Sequence, residues 1–394
     1  MGVFRNNYRR GLKHRILSFK NLRKAYQHIR RKGNCAAGSD GVTLKDWSRK
    51  GPHNALCGLQ ADLMDEICVK PVHRAYIREE GKQREISMLC VDDRITARAY
   101  YQSLSEIFDS RFHVSNFGYR PRRHRGQAAE YCQQLIRSGC KHWVKADIKD
   151  CFGSIRRRRL NKLIEKLLEE TGDKPWDSSL MIRHLKEFVN IEKRPTGIIQ
   201  GGSLSPFFSN LYLDSVDRKL ASEGLLFAHF GDDFIVGCRS KKEARRGFTV
   251  LKSEVERIGL ALNDKTRIVS SAKRINFCGY AISRNEIRVG KQSEERMLTK
   301  AKRLIDEYTA ENADVDWLAE QSKFLDRFDP SKKRLLHEKI KFAKSNKSLV
   351  FEDGIVRPKY LVYLESWLEQ FAIASDAKQC VMKLCEYWER KVKS

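Results

Sequence analysis

Asp232 and Asp233 stand side by side, with Phe227-Ala228-His229-Phe230-Gly231 before them and Phe234-Ile235-Val236-Gly237 after. Two adjacent ionised carboxylates repel each other unless a cation or a basic group lies between them. The chemistry open to such a pair is divalent-metal binding for phosphoryl transfer. The plain alternative is a solvated Asp-Asp turn, because Asp is a common turn former. A third carboxylate, Asp147, ends the short run Trp143-Val144-Lys145-Ala146, 85 residues before Asp232, and Phe152 follows it by five positions. A lone Asp at a strand end is usually a helix cap, so Asp147 gains weight only beside the later pair.

These carboxylates need elements that hold them. The apolar runs on either side of Gly231-Asp232 read as strands, and Gly231 falls where a tight turn is needed. A β-hairpin would carry both Asp residues at its tip. Between Asp147 and the hairpin lies a helical, charged insert (157–193), then Gly197-Ile198-Ile199-Gln200-Gly201-Gly202-Ser203-Leu204-Ser205-Pro206. A flexible Gly-Gly loop there opens a helix at Pro206, a favoured first-turn position, with Phe208, Leu211 and Leu220 as its buried stripe. Upstream, Gly38-Ser39-Asp40-Gly41-Val42 is a turn before a helix with Trp47. Residues 78–84 form a polar hairpin before a strand from Ile86 to Val91. Asp92 or Asp93 is then placed to cap a helix whose inner face is Ile95, Ala99, Leu104 and Phe108. Ser115 to Pro121 interleaves aromatics, Gly and Arg ahead of a helix at 126–138, and suits a nucleic-acid strand. A helix (241–258), the turn Asn263-Asp264-Lys265-Thr266 and a strand pair at 274–282 follow.

The chain has 394 residues and a formal net charge of +27. Its length allows two or three domains with a sizeable core. Such an excess of positive charge points to a polyanionic partner, nucleic acid first. Residues 1–32 hold eleven Lys or Arg and no acid. There Phe4, Tyr8, Leu12, Ile16 and Phe19 recur at helical spacing, so the stretch reads as a basic amphipathic helix. The eleven cysteines include no C-x-x-C pair and no zinc-spaced Cys/His cluster, which suggests reduced thiols in a cytoplasmic protein. No apolar run approaches the roughly 20 residues of a membrane helix, so no membrane partner is expected. Residues 292–394 read as mainly helical and basic, with Trp317, Phe324, Trp367, Phe371 and Trp388 as core or binding aromatics.

Taken in order, Asp147 with Phe152, Gln200-Gly201-Gly202-x-x-Ser205-Pro206, Phe230-Gly231-Asp232-Asp233, Asn263-x-x-Thr266 around Lys265, and Phe277-x-Gly279-Tyr280 resemble the palm of reverse transcriptases, most of all the bacterial group II intron type. The likeness extends upstream through Gly38–Val42, Gly81-Lys82-x-Arg84, Asp93-Arg94-Ile95 and Phe117-Gly118-Tyr119-Arg120-Pro121, and covers roughly residues 35–285. Each motif is weak alone, and their common order makes the set specific.

The resemblance implies an α+β right-hand polymerase. Its expected parts are a basic N-terminal helical extension (1–34), fingers (35–140), a palm with an antiparallel sheet (141–290) and a helical thumb (291–394). It implies RNA-directed DNA synthesis from deoxynucleotides, with an RNA template, an RNA/DNA hybrid product and two Mg²⁺ ions, Mn²⁺ being a substitute. Metal ions about 3.5–4 Å apart lower the pKa of the attacking hydroxyl and stabilise the leaving pyrophosphate, and carboxylates suit Mg²⁺. By resemblance Asp147 and Asp232 are the bridging metal ligands, Asp233 sits nearer the primer end and ligates metal less directly, and the Ile148 carbonyl adds a ligand. Arg78, Lys82 and Arg84 grip the triphosphate. Phe152 excludes a 2′ hydroxyl, and Gln200 and Gly201 line the nucleotide. Lys265 donates a proton to pyrophosphate. Phe117, Arg120, Pro121, Gly202 and Phe230 meet template or primer.

Three positions depart from the family pattern. Phe-Gly-Asp-Asp replaces the usual Tyr-Ala-Asp-Asp, Ile199 stands where Pro is usual, and Arg84-Glu85-Ile86-Ser87 replaces Arg-Pro-Leu-Gly. Gly-Asp-Asp also occurs in RNA-dependent RNA polymerases, the first rival reading. The length after residue 292 suits a thumb without DNA-binding and endonuclease regions. That leads to the expectation of a stand-alone, defence-associated enzyme copying a structured noncoding RNA, monomeric or oligomeric. The second class of reading is a maturase-like splicing cofactor that acts mainly by RNA binding.

Overall fold

The computed structural model describes residues 11–33, 36–65, 67–79, 82–171, 174–270, 274–311, 349–352 and 355–392. They fall into two compact units, one from residues 1–124 and 142–269, the other from 125–141 and 270–394. The sequence-predicted carboxylates all lie in the first unit.

At the centre of the first unit is a four-stranded sheet of β3 (His142–Asp147), β4 (Leu226–Phe230), β5 (Asp233–Cys238) and β6 (Arg267–Ser270), in the order β4-β5-β3-β6. Strand β5 pairs antiparallel with both β3 and β4. Its inner side chains Phe234, Ile235 and Val236 are buried, as are Phe227 on β4 and Trp143 and Val144 on β3. Burying each such side chain contributes roughly 1.5–3 kcal/mol. The apolar runs form strands whose side chains are buried, and helices α10 (Ser205–Ser222) and α11 (Lys241–Arg257) pack against the sheet and against each other.

Local signals start these helices where the sequence puts them. Pro206 lies in the first turn of α10. The Ser240 hydroxyl accepts from the Glu243 N–H at 3.1 Å and caps α11, while Glu243 accepts from the Arg239 N–H just before the cap at 2.8 Å. The charged insert folds as two helices, Arg157–Glu169 and Pro175–Asn190. The polar hairpin is β1 (His73–Glu79) against β2 (Lys82–Met88), with Arg78 opposite Gln83.

Two expectations change. The N-terminal stretch is not one helix: its described part has helices at Leu12–Leu17 and Phe19–Arg31, broken at Ser18. Ser18 is extended, and its hydroxyl accepts from the Asn21 N–H, so it caps the second helix instead of continuing the first. Phe4 and Tyr8 lie outside the described residues. The pair is also built into the fold, since the Asn21 amide donates to the Ala99 carbonyl at 3.0 Å and Gln60 donates to the Leu17 carbonyl at 2.7 Å. Neither Asp92 nor Asp93 caps the helix Val91–Ile107, whose N-cap is Cys90. Asp92 instead accepts from the Trp47 indole at 2.7 Å, and Asp93 accepts from the Lys70 N–H at 3.1 Å. Its predicted inner residues Ile95, Ala99, Leu104 and Phe108 are buried.

The second unit contains a helix at Arg125–Arg137, a three-stranded antiparallel sheet of Ile275–Phe277, Tyr280–Ile282 and Ile287–Val289, and helices at Lys291–Glu311, Lys359–Gln370 and Ala377–Val392. A strand pair, Leu349–Glu352 with Ile355–Pro358, adds to the predicted helices. Trp367 and Phe371 are buried, with ring centres 4.7 Å apart. Trp317 and Phe324 lie outside the described residues, as does the side chain of Trp388. The described cysteines are free thiols.

Candidate active site

The hairpin forms as its sequence demands. Gly231 has φ +71°, a left-handed conformation that favours glycine, and with Asp232 it makes the two-residue link between β4 and β5. The register then fixes the rest. Asp233 lies directly opposite Asp147 on β3, and also opposite Phe230 on β4. The Ile148 N–H donates to the Asp232 carbonyl at 3.1 Å. Asp147 and the Asp232-Asp233 pair that follows it by 85 residues are therefore gathered at one end of the sheet.

Their electrostatics follow from that crowding. The Asp233 carboxyl is pushed up to about 6, first by desolvation, then by the charges of Asp232 and Asp147, with Lys145 and His229 opposing. The residue as a whole remains open to solvent, and the clustered carboxylates repel one another. A cation placed among the three oxygen-bearing groups would relieve that repulsion. Among the described residues no three His, Cys, Asp or Glu side chains are by themselves placed to hold a metal ion. An open carboxylate set is nonetheless what Mg²⁺ takes when substrate phosphates and water complete its shell, so the donors fit the ion.

Asn263, given no role of its own in the turn motif, completes the carboxylate end of β3. Its backbone N–H donates to the Asp147 carbonyl at 2.7 Å, and its side-chain amide donates to the Asp147 carboxylate at 3.1 Å. Its amide oxygen accepts from the Lys265 N–H at 3.1 Å. The Asn-x-x-Thr turn is thus an Asx-type turn clamped onto Asp147, which also sets the exposed Lys265 beside it.

Phe152 is half-buried in the short helix Cys151–Ser154, whose N-cap Asp150 is left-handed with φ +43°. Its carbonyl accepts from the Ile198 N–H at 2.9 Å, which ties the helix to the Gly-rich loop. Gln200 and Gly201 are exposed, and Gly202 is buried. The Gln200 carbonyl accepts from the Ser87 N–H at 2.9 Å, so strand β2 runs beside this loop. A side chain on Gly201 would come within 3.0 Å of Ile86. Arg78, Lys82 and Arg84 are placed on the backbone of β1 and β2; their side chains lie outside the described ones.

The Phe117–Pro121 segment needs a correction. Phe117 is 5% exposed and Arg120 is 7% exposed. The Arg120 guanidinium donates to the Asp109 carboxylate at 2.8 Å, and to the carbonyls of Asp109, His113 and Asn116 at 2.7–2.8 Å. The side chains of these two residues are spent on contacts within the loop; Pro121 is half-buried. The segment's exposed aromatic is Tyr119, in a left-handed conformation with φ +55°. Its ring lies 6.4 Å from that of the half-buried Phe230, and it would touch any side chain at Gly231. Desolvation and the nearby Asp232 raise the Tyr119 phenol to about 12, so it stays protonated as a donor. Residue type favoured Phe117 and Arg120, and nothing in the local sequence marks Tyr119 as the exposed ring, since residues 115–118 and 120 around it are all buried.

The family model described as reverse transcriptase (RNA-dependent DNA polymerase) matches residues 73–282, more than half of the chain. The chain is 26% identical over 252 residues to a putative COX1/OXI3 intron 2 protein of Saccharomyces cerevisiae, covering 62% of this chain and 28% of that one. It is 28% identical over 157 residues to the protein YkfC of Escherichia coli, covering 38% and 41%. It is 29% identical over 155 residues to the group II intron-encoded protein LtrA of Lactococcus lactis subsp. cremoris, covering 38% and 25%. The chain therefore matches from 25% to 41% of the length of these relatives. Among solved structures it resembles apo telomerase from Candida tropicalis, with a TM-score of 0.45 at 15% identity over 58% of this chain and 49% of the other.

Proposed function

Because the chain belongs to the reverse transcriptase (RNA-dependent DNA polymerase) family, we propose that it extends a primer on an RNA template by adding deoxynucleotides. The observation that carries this reading is the gathering of Asp147, Asp232 and Asp233 at one sheet end, with Asp147 and Asp233 cross-strand partners. When bound there, two Mg²⁺ ions, or Mn²⁺ in their place, supply activation of the 3′ hydroxyl and stabilisation of the leaving pyrophosphate.

The chain's own residues take the remaining roles. Asp147 and Asp232, with the Ile148 carbonyl, hold metal, and Asp233 faces the primer end. Phe152 lies under the nucleotide sugar and leaves no room for a 2′ hydroxyl. Gln200 and Gly201 line the incoming nucleotide, and Arg78, Lys82 and Arg84 bind its triphosphate through charge-assisted hydrogen bonds. Lys265 donates the proton that pyrophosphate takes up. Tyr119 and Phe230 offer the aromatic faces for template and primer, while Gly202 permits close backbone approach. Fingers, palm and thumb are assigned to 35–140, 141–290 and 291–394, behind the helical extension 1–34.

The test is a primed RNA template with Mg²⁺ and either deoxynucleotides or ribonucleotides, beside an Asp232→Ala/Asp233→Ala control. DNA extension that the control loses by more than about a thousandfold supports the reading. Ribonucleotide extension overturns it in favour of RNA synthesis. A second reading, a maturase-like RNA-binding role, is favoured by the intron-protein names of two relatives. It predicts that the double Ala variant keeps its RNA-dependent function. The template is read as a dedicated structured noncoding RNA, and a role in antiviral defence follows from that reading. Sequencing RNA that copurifies with the protein tests both, and recovery of an intron RNA overturns them.

A further inference from the structure

Behind the hairpin tip lies a fully buried histidine. His229 and Asp217 are each 0% exposed. His229 Nδ1 is 3.1 Å from the Asp217 carboxylate on α10, and Nε2 is 2.7 Å from the Gly231 carbonyl in the turn. The ring also stacks on Phe234, with centres 4.1 Å apart and planes within 9° of parallel. The His229 backbone pairs with the segment before Tyr119: its N–H donates to the Ser115 carbonyl at 2.8 Å, and its carbonyl accepts from the Phe117 N–H at 2.8 Å.

Both ring nitrogens therefore face oxygens that act as acceptors. A neutral imidazole has one N–H and one lone pair. In either neutral tautomer beside an ionised Asp217, one lone pair would point at an oxygen in a fully buried site. Only a ring protonated on both nitrogens donates to both partners. The same pairing is needed by Asp217, both of whose oxygens lie 3.1 Å from Nδ1; a buried carboxylate without a countercharge is costly. Burial by itself favours the neutral ring, but Asp217, the Gly231 carbonyl and the Asp232 charge reverse this, and the ring's pKa stands above its ordinary value.

We propose that His229 is a buried imidazolium that pins the Gly231-Asp232 turn to Asp217 of α10, and so positions the catalytic carboxylates for nucleotide addition. The role is one of positioning: the ring touches the turn's carbonyl, not the reacting atoms. The proposal rests on the polymerase reading for its rate effect, but its charge state does not.

The experiment has two arms on the full chain. In the first, ¹⁵N-histidine NMR at neutral pH, with the His229 signal assigned by its loss in His229→Gln, is expected to show both ring nitrogens protonated. A neutral tautomer overturns the proposal, including the case in which Asp217 holds the proton and donates to Nδ1. This arm stands even if the protein extends no primer, so its failure is distinct from failure of the polymerase reading. In the second, His229→Gln keeps one donor group that cannot span both acceptors, whereas the guanidinium of His229→Arg is a permanent cation with several donors. Nucleotide addition at saturating deoxynucleotide is expected to fall about tenfold or more in His229→Gln, with KM changed less than about threefold. His229→Arg is expected to recover to within about threefold of the wild type. Equal losses in both variants, or a lowered Tm with an unchanged rate in His229→Gln, overturn the positioning role.

Discussion

Asn263 offers the sharpest test of how this site is held. In Asn263→Ala the backbone N–H to the Asp147 carbonyl survives, so the strand end keeps its main-chain clamp. What disappears is the side-chain N–H to the Asp147 carboxylate, at 3.1 Å, and the acceptor for the Lys265 N–H, also at 3.1 Å. A hydrogen bond to an ionised group contributes roughly 1.5–3 kcal/mol. Asn263 and Asp147 are both half-exposed, so water replaces part of it, and about 1–2 kcal/mol is the expected loss. If that energy is felt in full when the carboxylate holds metal, nucleotide addition slows by about 5- to 30-fold. Asn263→Asp sharpens the comparison. It keeps an acceptor for the Lys265 N–H but turns a donor into a second carboxylate against Asp147, and should be slower than the Ala variant. The assay is single-turnover addition of one deoxynucleotide to a primed RNA across a series of Mg²⁺ concentrations. The Ala variant should need more Mg²⁺ for half-maximal rate. Rates for both variants within about twofold of the wild type at every Mg²⁺ concentration would refute the reasoning.

Other perturbations follow from the same geometry. In Gly118→Ala the new methyl would lie 2.3 Å from the Gly231 nitrogen and 3.1–3.2 Å from Phe230 backbone atoms; none can swing away, so denaturant melts should show a loss of about 1–3 kcal/mol or more, with slower primer extension. Mg²⁺ at about 100 times its Kd should stabilise the fold by about 2.7 kcal/mol; a thermal shift that survives in Asp232→Asn/Asp233→Asn would place the ion elsewhere. Burial holds the Asp93 carboxyl up at about 7, with Asp92 and Asp40 adding and the Lys70 N–H opposing. The folded carboxyl keeps its proton while the unfolded one ionises, so stability should fall as pH rises from about 4 and level off above about 7, with about 1 kcal/mol of the fall between about pH 6 and about pH 8; Asp93→Asn, which still accepts from Lys70, should flatten that slope in melts at the two pH values.

The hairpin and the strand ending in Asp147 were legible because their signals are local. Apolar runs, a glycine at a left-handed turn and a Pro in the first turn of α10 each act within a few residues. Ser18 was equally local, since a Ser three residues before a free N–H is a cap signal, but the density of Lys and Arg around it drew the eye to one continuous helix. Asp92 and Asp93 misled for the opposite reason. Their residue type suits a cap, yet the Trp47 indole and the Lys70 N–H, 45 and 23 residues away, compete for them and win.

Residue type also fails where the same chemistry serves two ends. Aromatic and Arg residues interleaved with Gly suit a nucleic-acid strand, and they suit a self-bonded loop just as well. Arg120 went to the second use because Asp109 and three carbonyls converge on its five N–H groups. That internal use has a consequence for the site. The loop it stiffens brings Gly118 against Gly231 and lets Ser115 and Phe117 pair with His229. The turn that carries Asp232 is therefore braced from the Arg120 loop on one side and from Asp217 on the other. A two-residue turn with a glycine is pliable by itself; here its carboxylates are held by contacts that sequence spacing does not encode, because each partner comes from a different segment of the chain.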